Sequence, residues 1–269
     1  MDRLRLGAQG WNYPAWVGPF YPSGTRARDF LATYARAFDT VEVDSTFYAV
    51  PPVATVRGWR DRTPEGFTFA LKLPREITHA RRFVGVGDVT KRFLDTAREL
   101  GPKLGPVLIQ CGADLPTEAR ADLEAFLSTL PSDLRFAIEF RDRRWVTESV
   151  HEMLAARRIA LALVDARWVP RKWMLALAAR PTADHAYVRW LGPDRSITDY
   201  SHLQEDRSAE IAAWAEVLPA LATSVTVYGY VNNHFAGHSP ASLRMLQAAL
   251  GRTPQNPAQL DTQISLWGG

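Results

Sequence analysis

The chain has 269 residues, of which 46% are apolar and 23% charged, and its 17 Gly and 18 Pro are dispersed along it. Such a balance belongs to a globular protein and excludes collagenous, coiled-coil and disordered chains, while leaving open one large α/β domain or two small ones. Thirty-two basic against 29 acidic residues leave a net charge of only +3, too mild to mark a nucleic-acid binder by itself.

Apolar runs such as 159–164 reach only about six residues, far short of the ~20 that a membrane-spanning helix requires. The opening Met1-Asp2-Arg3-Leu4-Arg5-Leu6 has no apolar export signal, so the expected location is cytoplasmic and no membrane partner is expected. The single Cys111 excludes an intrachain disulfide and a cysteine-based zinc site, and fits a reducing compartment. Its simplest role is that of a small buried residue at a strand end.

In chain order, a strand-like run at 4–10 is followed by an amphipathic stretch at 26–37. The same pairing recurs as 40–45 with 53–61, 68–73 with 89–100, 107–111 with 118–130, and 136–140 with 148–157. It continues as 161–165 with 171–179, 186–191 with 208–221, and 225–231 with 240–250. Thr25, Asp88, Thr117, Thr147 and Ser239 stand where a side-chain oxygen could cap a helix start, and Gly101 and Gly251 where a left-handed residue could end one. Eight β–α units in one chain of this length predict a single TIM (β/α)8 barrel spanning 1–269. An open doubly wound sheet is disfavoured because Gly7-Ala8-Gln9-Gly10-Trp11 lacks the dinucleotide glycine spacing. The Pro/Gln-rich tail 252–269 is expected to pack across the barrel or hang loosely.

A barrel of this kind works at the C-terminal ends of its strands. Those ends carry Trp11 and Tyr13; Glu42 and Asp44, then Tyr48; Lys72, then His79, Arg81 and Arg82; Gln110; Glu139 and Arg141; Asp165 and Arg167; Arg189 and Trp190; and Tyr228, Tyr230, Asn232, Asn233 and His234. Residues two apart share a face, so Glu42 joins Asp44, Glu139 joins Arg141, and Tyr228 joins Tyr230 and Asn232. Converging charges either pair, for instance Glu42 with Lys72 and Glu139 with Arg189, or meet a charged ligand.

Gly237, Ser239 and Pro240 open the last helix after the eighth strand, the usual position of a barrel phosphate pocket, with Arg189 and Gly192 as a flank for the anion. Trp11, Trp16, Trp145, Trp168 and Trp190 supply aromatic density near the strand ends, with loop packing the expected role of Trp16 and Trp145. The six histidines show neither HxH nor HExxH spacing. No cofactor is indicated; a divalent metal stays open only through an oxygen set from Glu42, Glu139 and Asp165.

Gly10-Trp11-Asn12-Tyr13 with Trp16 and Phe20-Tyr21-Pro22, and the run Val41-Glu42-Val43-Asp44-Ser45-Thr46-Phe47-Tyr48, carry a specific pattern. Lys72 with Ile77-Thr78-His79, Glu139-Phe140-Arg141 with Trp145, Tyr187 with Arg189, and Asn232-Asn233-His234 extend it over nearly the whole chain. Together these residues resemble the YecE-like family, domain of unknown function 72. The resemblance implies a TIM barrel and no established reaction; Asp44 departs from it, standing where the family more often has Asn.

The leading expectation is an enzyme acting on a phosphate-bearing ligand: a nucleotide, a nucleic-acid end or a sugar phosphate. Glu42 or Glu139 would be the general base and Asp165 a further acid–base carboxylate, while Lys72 and Arg189 stabilise negative charge. Trp11, Tyr13, Tyr48, His79, Arg141, Tyr230, Asn232, Asn233, His234, Gly237 and Ser239 would bind the ligand. Three alternatives stand beside it: a glycoside hydrolase using Glu42 and Glu139, a Lys72 Schiff-base enzyme, and a non-catalytic nucleic-acid or partner-binding module.

Overall fold

Short runs of β-branched, aromatic and small residues form eight parallel strands, each but the last returned to the next by a helix. The computed structural model describes residues 3–255 and 259–260. The strands are β1 (Leu4–Ala8), β2 (Thr40–Val43), β3 (Thr68–Lys72), β4 (Leu104–Gln110), β5 (Phe136–Glu139), β6 (Ala160–Ala166), β7 (His185–Gly192) and β8 (Thr226–Val231). The helices are α1 (Phe30–Tyr34), α2 (Val53–Asp61), α3 (Gly87–Ala97), α4 (Arg120–Ser128), α5 (Glu148–Ala156), α6 (Arg171–Leu177), α7 (Ser208–Ser224) and α8 (Ser239–Ala249). Strand order β1-β8-β7-β6-β5-β4-β3-β2 makes one nearly closed parallel sheet, the expected TIM barrel. Among the described residues no helix is long and apolar enough to cross a membrane.

The β1–β2 seam closes differently from the other seven contacts. A single bridge joins Gln9 to Glu42, reinforced by Gly10 N–H donating to the Glu42 carbonyl at 2.8 Å. Below it the Tyr34 hydroxyl accepts from Ala8 N–H at 2.6 Å and donates to the Thr40 carbonyl at 2.9 Å, so a side chain substitutes for ladder hydrogen bonds. Gly7 allows this approach: a Cβ there would lie 1.8 Å from the Thr40 carbonyl oxygen.

Register fixes which side chains face inward. Gly7 pairs with Tyr230, Tyr187 with Tyr228, Ala162 with Tyr187 and Val164 with Arg189, so these residues line the interior. Small inward residues, Gly7, Ala70, Ala137, Ala160 and Ala162, leave room for the large Tyr187, Tyr228, Tyr230 and Arg189 side chains crossing from the opposite wall. Tyr187 and Tyr230 pack with ring centroids 5.0 Å apart, and the Tyr230 hydroxyl lies 3.0 Å from Thr40 Oγ1.

The helix boundaries depart from the sequence in their caps. Of the five cap residues expected, only Thr147 acts as one, accepting from Val150 N–H. Asp88 lies inside the first turn of α3, Thr117 begins a 3₁₀ turn, and Thr25 donates its hydroxyl to the Pro22 carbonyl. Ser239 is the first residue of α8 with His238 as its cap. Gly101 and Gly251 do adopt positive φ, 57° and 70°. The helix expected over 26–37 is reduced to α1 plus a preceding 3₁₀ turn, Ala27–Asp29. Of the tail, residues 259–260 are held by Arg36, whose Nη1 donates to the Leu260 carbonyl at 2.5 Å; residues 256–258 and 261–269 lie outside the described residues, as do Met1 and Asp2.

Candidate active site at the barrel mouth

The inward residues of the uppermost layer are Gln9, Glu42, Lys72, Gln110, Glu139, Val164, Arg189 and Asn232. They are polar at every strand except β6, and Arg189 holds the centre. Its Nη2 donates to Glu42 Oε1 at 2.6 Å, and its Nη1 donates to Glu139 Oε2. Glu42 also accepts from the Tyr187 hydroxyl at 2.7 Å. Glu139 also accepts from Arg141 Nε at 2.9 Å, and Arg141 reaches Gln110 Oε1 at 2.8 Å. Glu42, Glu139 and Arg189 are fully buried, which an unpaired charge would not tolerate.

The two carboxylates diverge in acidity. Burial works to raise Glu139, but the guanidiniums of Arg189 and Arg141 overcome it and hold the group at about 2. Glu42 is raised: burial dominates, Arg189 offsets only part of it, and the Asp44 charge adds to the rise.

Above this floor opens a cleft of about 530 Å³ lined by Gln9, Asp44, Lys72, Arg141, Arg167, Trp168, Arg189, Asn232 and His234, with the loop after β7 through Arg195. Lys72 is buried, with Nζ 3.6 Å from Asp44 Oδ1 and 4.2 Å from the centre of the Phe47 ring. Burial lowers its pKa, and Arg189 pushes the same way against Asp44, Glu42 and Glu139. Trp168 donates Nε1–H to the Phe140 carbonyl at 3.2 Å and lies 5.3 Å from the Arg141 guanidinium, forming an aromatic wall. Gly192 lets the β7 loop cross tightly over the β8 loop, since a Cβ there would sit 2.2 Å from the His234 carbonyl oxygen.

Several donors in this cleft have no acceptor. Among the described residues Gln9 Nε2 and Arg189 Nε have no hydrogen-bond partner although both are buried. Lys72 Nζ likewise makes no hydrogen bond, and Arg167 and Arg195 form neither an ion pair nor a hydrogen bond, among the described residues.

The remaining expected residues divide into neighbours of the cleft and residues engaged elsewhere. His79 sits in a one-turn π-helix, Glu76–Ala80, against Phe47 at 5.0 Å; burial lowers its pKa, with Arg141 and Lys72 adding to the effect. Tyr48 is exposed beside Phe47. His234 Nε2 lies 3.2 Å from the Tyr200 hydroxyl, and Asn232 donates Nδ2–H to Gln9 Oε1 at 2.7 Å. Tyr13 donates to the Gln9 carbonyl at 2.9 Å behind the cleft, and Trp11 packs against Trp59 and Phe69. Tyr230 lies below the floor. Trp16, Trp145 and Trp190 are buried, Trp190 against Trp214 of α7.

Two expectations are corrected by the structure. Asp165 pairs in register with Trp190, not Arg189, so it faces the helix layer: it is bound by Arg171 at 2.6 Å and by Trp214 Nε1 at 2.8 Å. It therefore neither joins Glu42 and Glu139 in acid–base work nor completes an oxygen set for a metal with them. The expected phosphate pocket at the start of α8 is already filled, because Asn233 Oδ1 accepts from Ser239 N–H at 3.0 Å and from Ser239 Oγ at 2.8 Å. Gly237 N–H donates to the Asn233 carbonyl at 2.6 Å, so this amide too is engaged within the loop. Gln9 and Arg195 were missed as site residues, whereas Trp168 was expected only as part of the aromatic density near the strand ends. Gln9 could have been found by extending the two-residue periodicity from Arg5 and Gly7, whereas Arg195 lies in a loop without periodicity.

A parallel eight-stranded barrel with its polar cleft at the carboxyl ends of the strands defines a TIM-barrel protein with a mouth site. Within that class the chain belongs to the family described as "Protein of unknown function DUF72", whose model matches residues 5–264. It is 24% identical to the UPF0759 protein YecE of Escherichia coli (strain K12) over 93% of each chain. It is 30% identical to the UPF0759 protein YunF of Bacillus subtilis (strain 168), over 55% of this chain and 54% of that one. Crystal structures of DUF72 family proteins share the fold. The one from Enterococcus faecalis V583 has a TM-score of 0.74 at 20% identity, covering 94% of this chain and 97% of that one. The one from Thermotoga maritima MSB8 has a TM-score of 0.71 at 23% identity, covering 91% and 96%.

Proposed function

We propose that the protein is an enzyme acting on a small phosphate-bearing ligand held in the barrel mouth. One observation carries the reading: Gln9 Nε2, Lys72 Nζ, Arg189 Nε, Arg167 and Arg195 line one cleft, all of them donors without an acceptor among the described residues. A phosphate group brings several acceptor oxygens and a charge that such a set would bind by charge-assisted hydrogen bonds. A cleft of about 530 Å³ falls within the roughly 300–1,000 Å³ typical of small-molecule sites, which favours a mononucleotide or sugar phosphate over a duplex. The partly buried Trp168 in the cleft wall offers a flat surface for a base or sugar.

In this reading Glu42 and Glu139 position Arg189 and do not exchange protons with substrate. Proton transfer falls to Asp44 and Lys72. The same burial argues against a glycoside hydrolase, whose two carboxyl groups must both reach the glycosidic bond. Cys111 takes no part in this chemistry, because burial pushes its thiol well above its ordinary range and keeps it inert.

Calorimetric titration with inorganic phosphate, and with a mononucleotide and a hexose phosphate each beside its non-phosphorylated parent, tests the proposal. Binding of the phosphorylated members alone, weakened in Arg189→Lys, is expected. Equal affinity for the parents, or no binding at all, overturns it.

A further inference from the structure

Lys72 differs from the other three lysines of the chain. Lys91 is exposed and paired with Asp95 at 2.6 Å. Lys103 Nζ is tied by hydrogen bonds to the Arg60 and Thr63 carbonyls, each at 2.6 Å. Lys172 is on the surface. Lys72 alone is buried, lines a cleft, and has an Nζ with no hydrogen-bond partner among the described residues.

Its surroundings suit a nucleophile better than a structural cation. The amine rises from the end of β3 against the Phe47 ring, a dry wall on one side. On the other, the Asp44 carboxylate is 3.6 Å away, close enough to exchange a proton after a small movement yet beyond hydrogen-bond length. Thr46 Oγ1 fixes the lysine backbone, donating to its carbonyl at 2.7 Å and accepting from its N–H at 3.0 Å. The charged groups facing Nζ are Asp44, Glu42, Glu139 and Arg189. Burial lowers the pKa of the amine, with Arg189 adding to the effect against the opposing pull of Asp44, Glu42 and Glu139. Were the lysine only an anion-binding charge, neither the desolvation nor the adjacent proton acceptor would help it.

We propose that Lys72 is a covalent nucleophile that forms a Schiff base with the carbonyl carbon of a phosphorylated aldehyde or ketone. The proposal rests on the phosphate-bearing reading of the cleft and narrows its substrate class. The Nζ lone pair attacks the carbonyl carbon, the C–N bond forms, and the carbonyl π pair moves to oxygen. Asp44 takes a proton from nitrogen and delivers it to that oxygen, giving the carbinolamine. Asp44, reprotonated from solvent, then protonates the hydroxyl, the C–O bond breaks and water leaves as the iminium forms. One proton is consumed in all, and hydrolysis returns it. No oxidant or reductant is needed. Asp44 can serve here as a proton carrier, which an Asn at that position could not.

The test is reductive trapping. The protein is incubated with glyceraldehyde 3-phosphate and sodium borohydride, and the peptides bearing the four lysines are compared by mass spectrometry. A reduced adduct on Lys72, with the more accessible Lys91 and Lys172 unlabelled, is expected. Lys72→Arg, which keeps the positive charge but removes the primary amine, is expected to lose the adduct. Asp44→Asn, at a partly exposed position that leaves the fold intact by circular dichroism, is expected to slow trapping by about 10²-fold. Phosphate binding without an adduct on Lys72, or labelling of Lys91 and Lys172 alone, overturns the Schiff base and leaves the phosphate reading standing. Equal labelling of Lys72 by propionaldehyde overturns the phosphorylated substrate class. Absence of phosphate binding in the unmodified protein is instead a failure of the underlying reading.

Discussion

Arg189 is the residue on which the mouth depends, and its two carboxylate partners are not equivalent. Glu139 is held ionised by two guanidiniums, so replacing it by Gln leaves Arg189 and Arg141 short of countercharge in a buried layer. A loss of about 3–5 kcal/mol is expected for Glu139→Gln in urea unfolding. Glu42, whose burial already favours the proton, loses less on Glu42→Gln; equal losses from the two variants would contradict this arrangement. The acid limb of stability follows from the same residue. A carboxyl held at about 2 when folded and near 4.5 when unfolded contributes stability that is complete above the unfolded value and lost as pH falls toward 2. Thermal melts between pH 5 and 2 are expected to fall more steeply for the parent protein than for Glu139→Gln. At this scale the sequence was legible in part. The two-residue periodicity placed Glu42, Glu139 and Arg189 on one mouth, but pairing choice depends on distances across the barrel, and Arg189 took both glutamates where one each for Lys72 and Arg189 was expected. Asp165 was misplaced because its position at a strand end was weighed above its parity: Val164, not Asp165, shares the face of Arg189.

Among the elements, the seam between β1 and β2 is where the barrel is most exposed to single changes. Tyr34→Phe removes the hydroxyl that bridges Ala8 N–H and the Thr40 carbonyl and leaves a buried donor without that partner, at an expected cost of about 1–3 kcal/mol. Gly7→Ala is expected to cost more than Tyr34→Phe, since its Cβ would meet backbone, which cannot swing away as a side chain can. Chemical denaturation of the two variants side by side checks that order. The strands themselves were legible to within a few residues, because inward and outward faces both carry apolar side chains bounded by Gly, Pro and Asp. Helix ends were not. A Thr or Ser at the expected start becomes a cap only if the chain approaches with extended backbone, and of the five positions only Thr147 combines that entry with a side chain accepting from the first turn. The phosphate loop failed for a related reason: Gly237-His238-Ser239-Pro240 has the composition of an anion pocket, but Asn233, six residues before Ser239, folds back to fill it.

For the whole molecule, a net charge of +3 conceals a strong local asymmetry. Most arginines are paired: Arg57 with Glu99, Arg98 with Asp133, Arg171 with Asp165 and Arg180 with Glu148 are examples spread around the outer ring. Arg167 and Arg195, at the cleft rim, have no such partner among the described residues; the exposed Asp194 stands near Arg167, and His234 near Arg195. Charges without partners contribute little to folding, so their removal separates binding from stability. Replacing both Arg167 and Arg195 by Gln is expected to shift unfolding free energy by no more than about 0.5 kcal/mol. The same double variant is expected to weaken phosphate binding roughly tenfold, as loss of a charged hydrogen bond at a partly solvated rim would. Salt distinguishes the rim from the floor. Screening shortens to about 3 Å at 1 M ionic strength, which suppresses the exposed arginines but not Arg189, buried against its two glutamates. The affinity of the parent protein for inorganic phosphate is therefore expected to fall with added salt toward the value of the double variant, whose own salt dependence is shallow. Parallel salt slopes for the two proteins would mean that the rim arginines do not face the ligand.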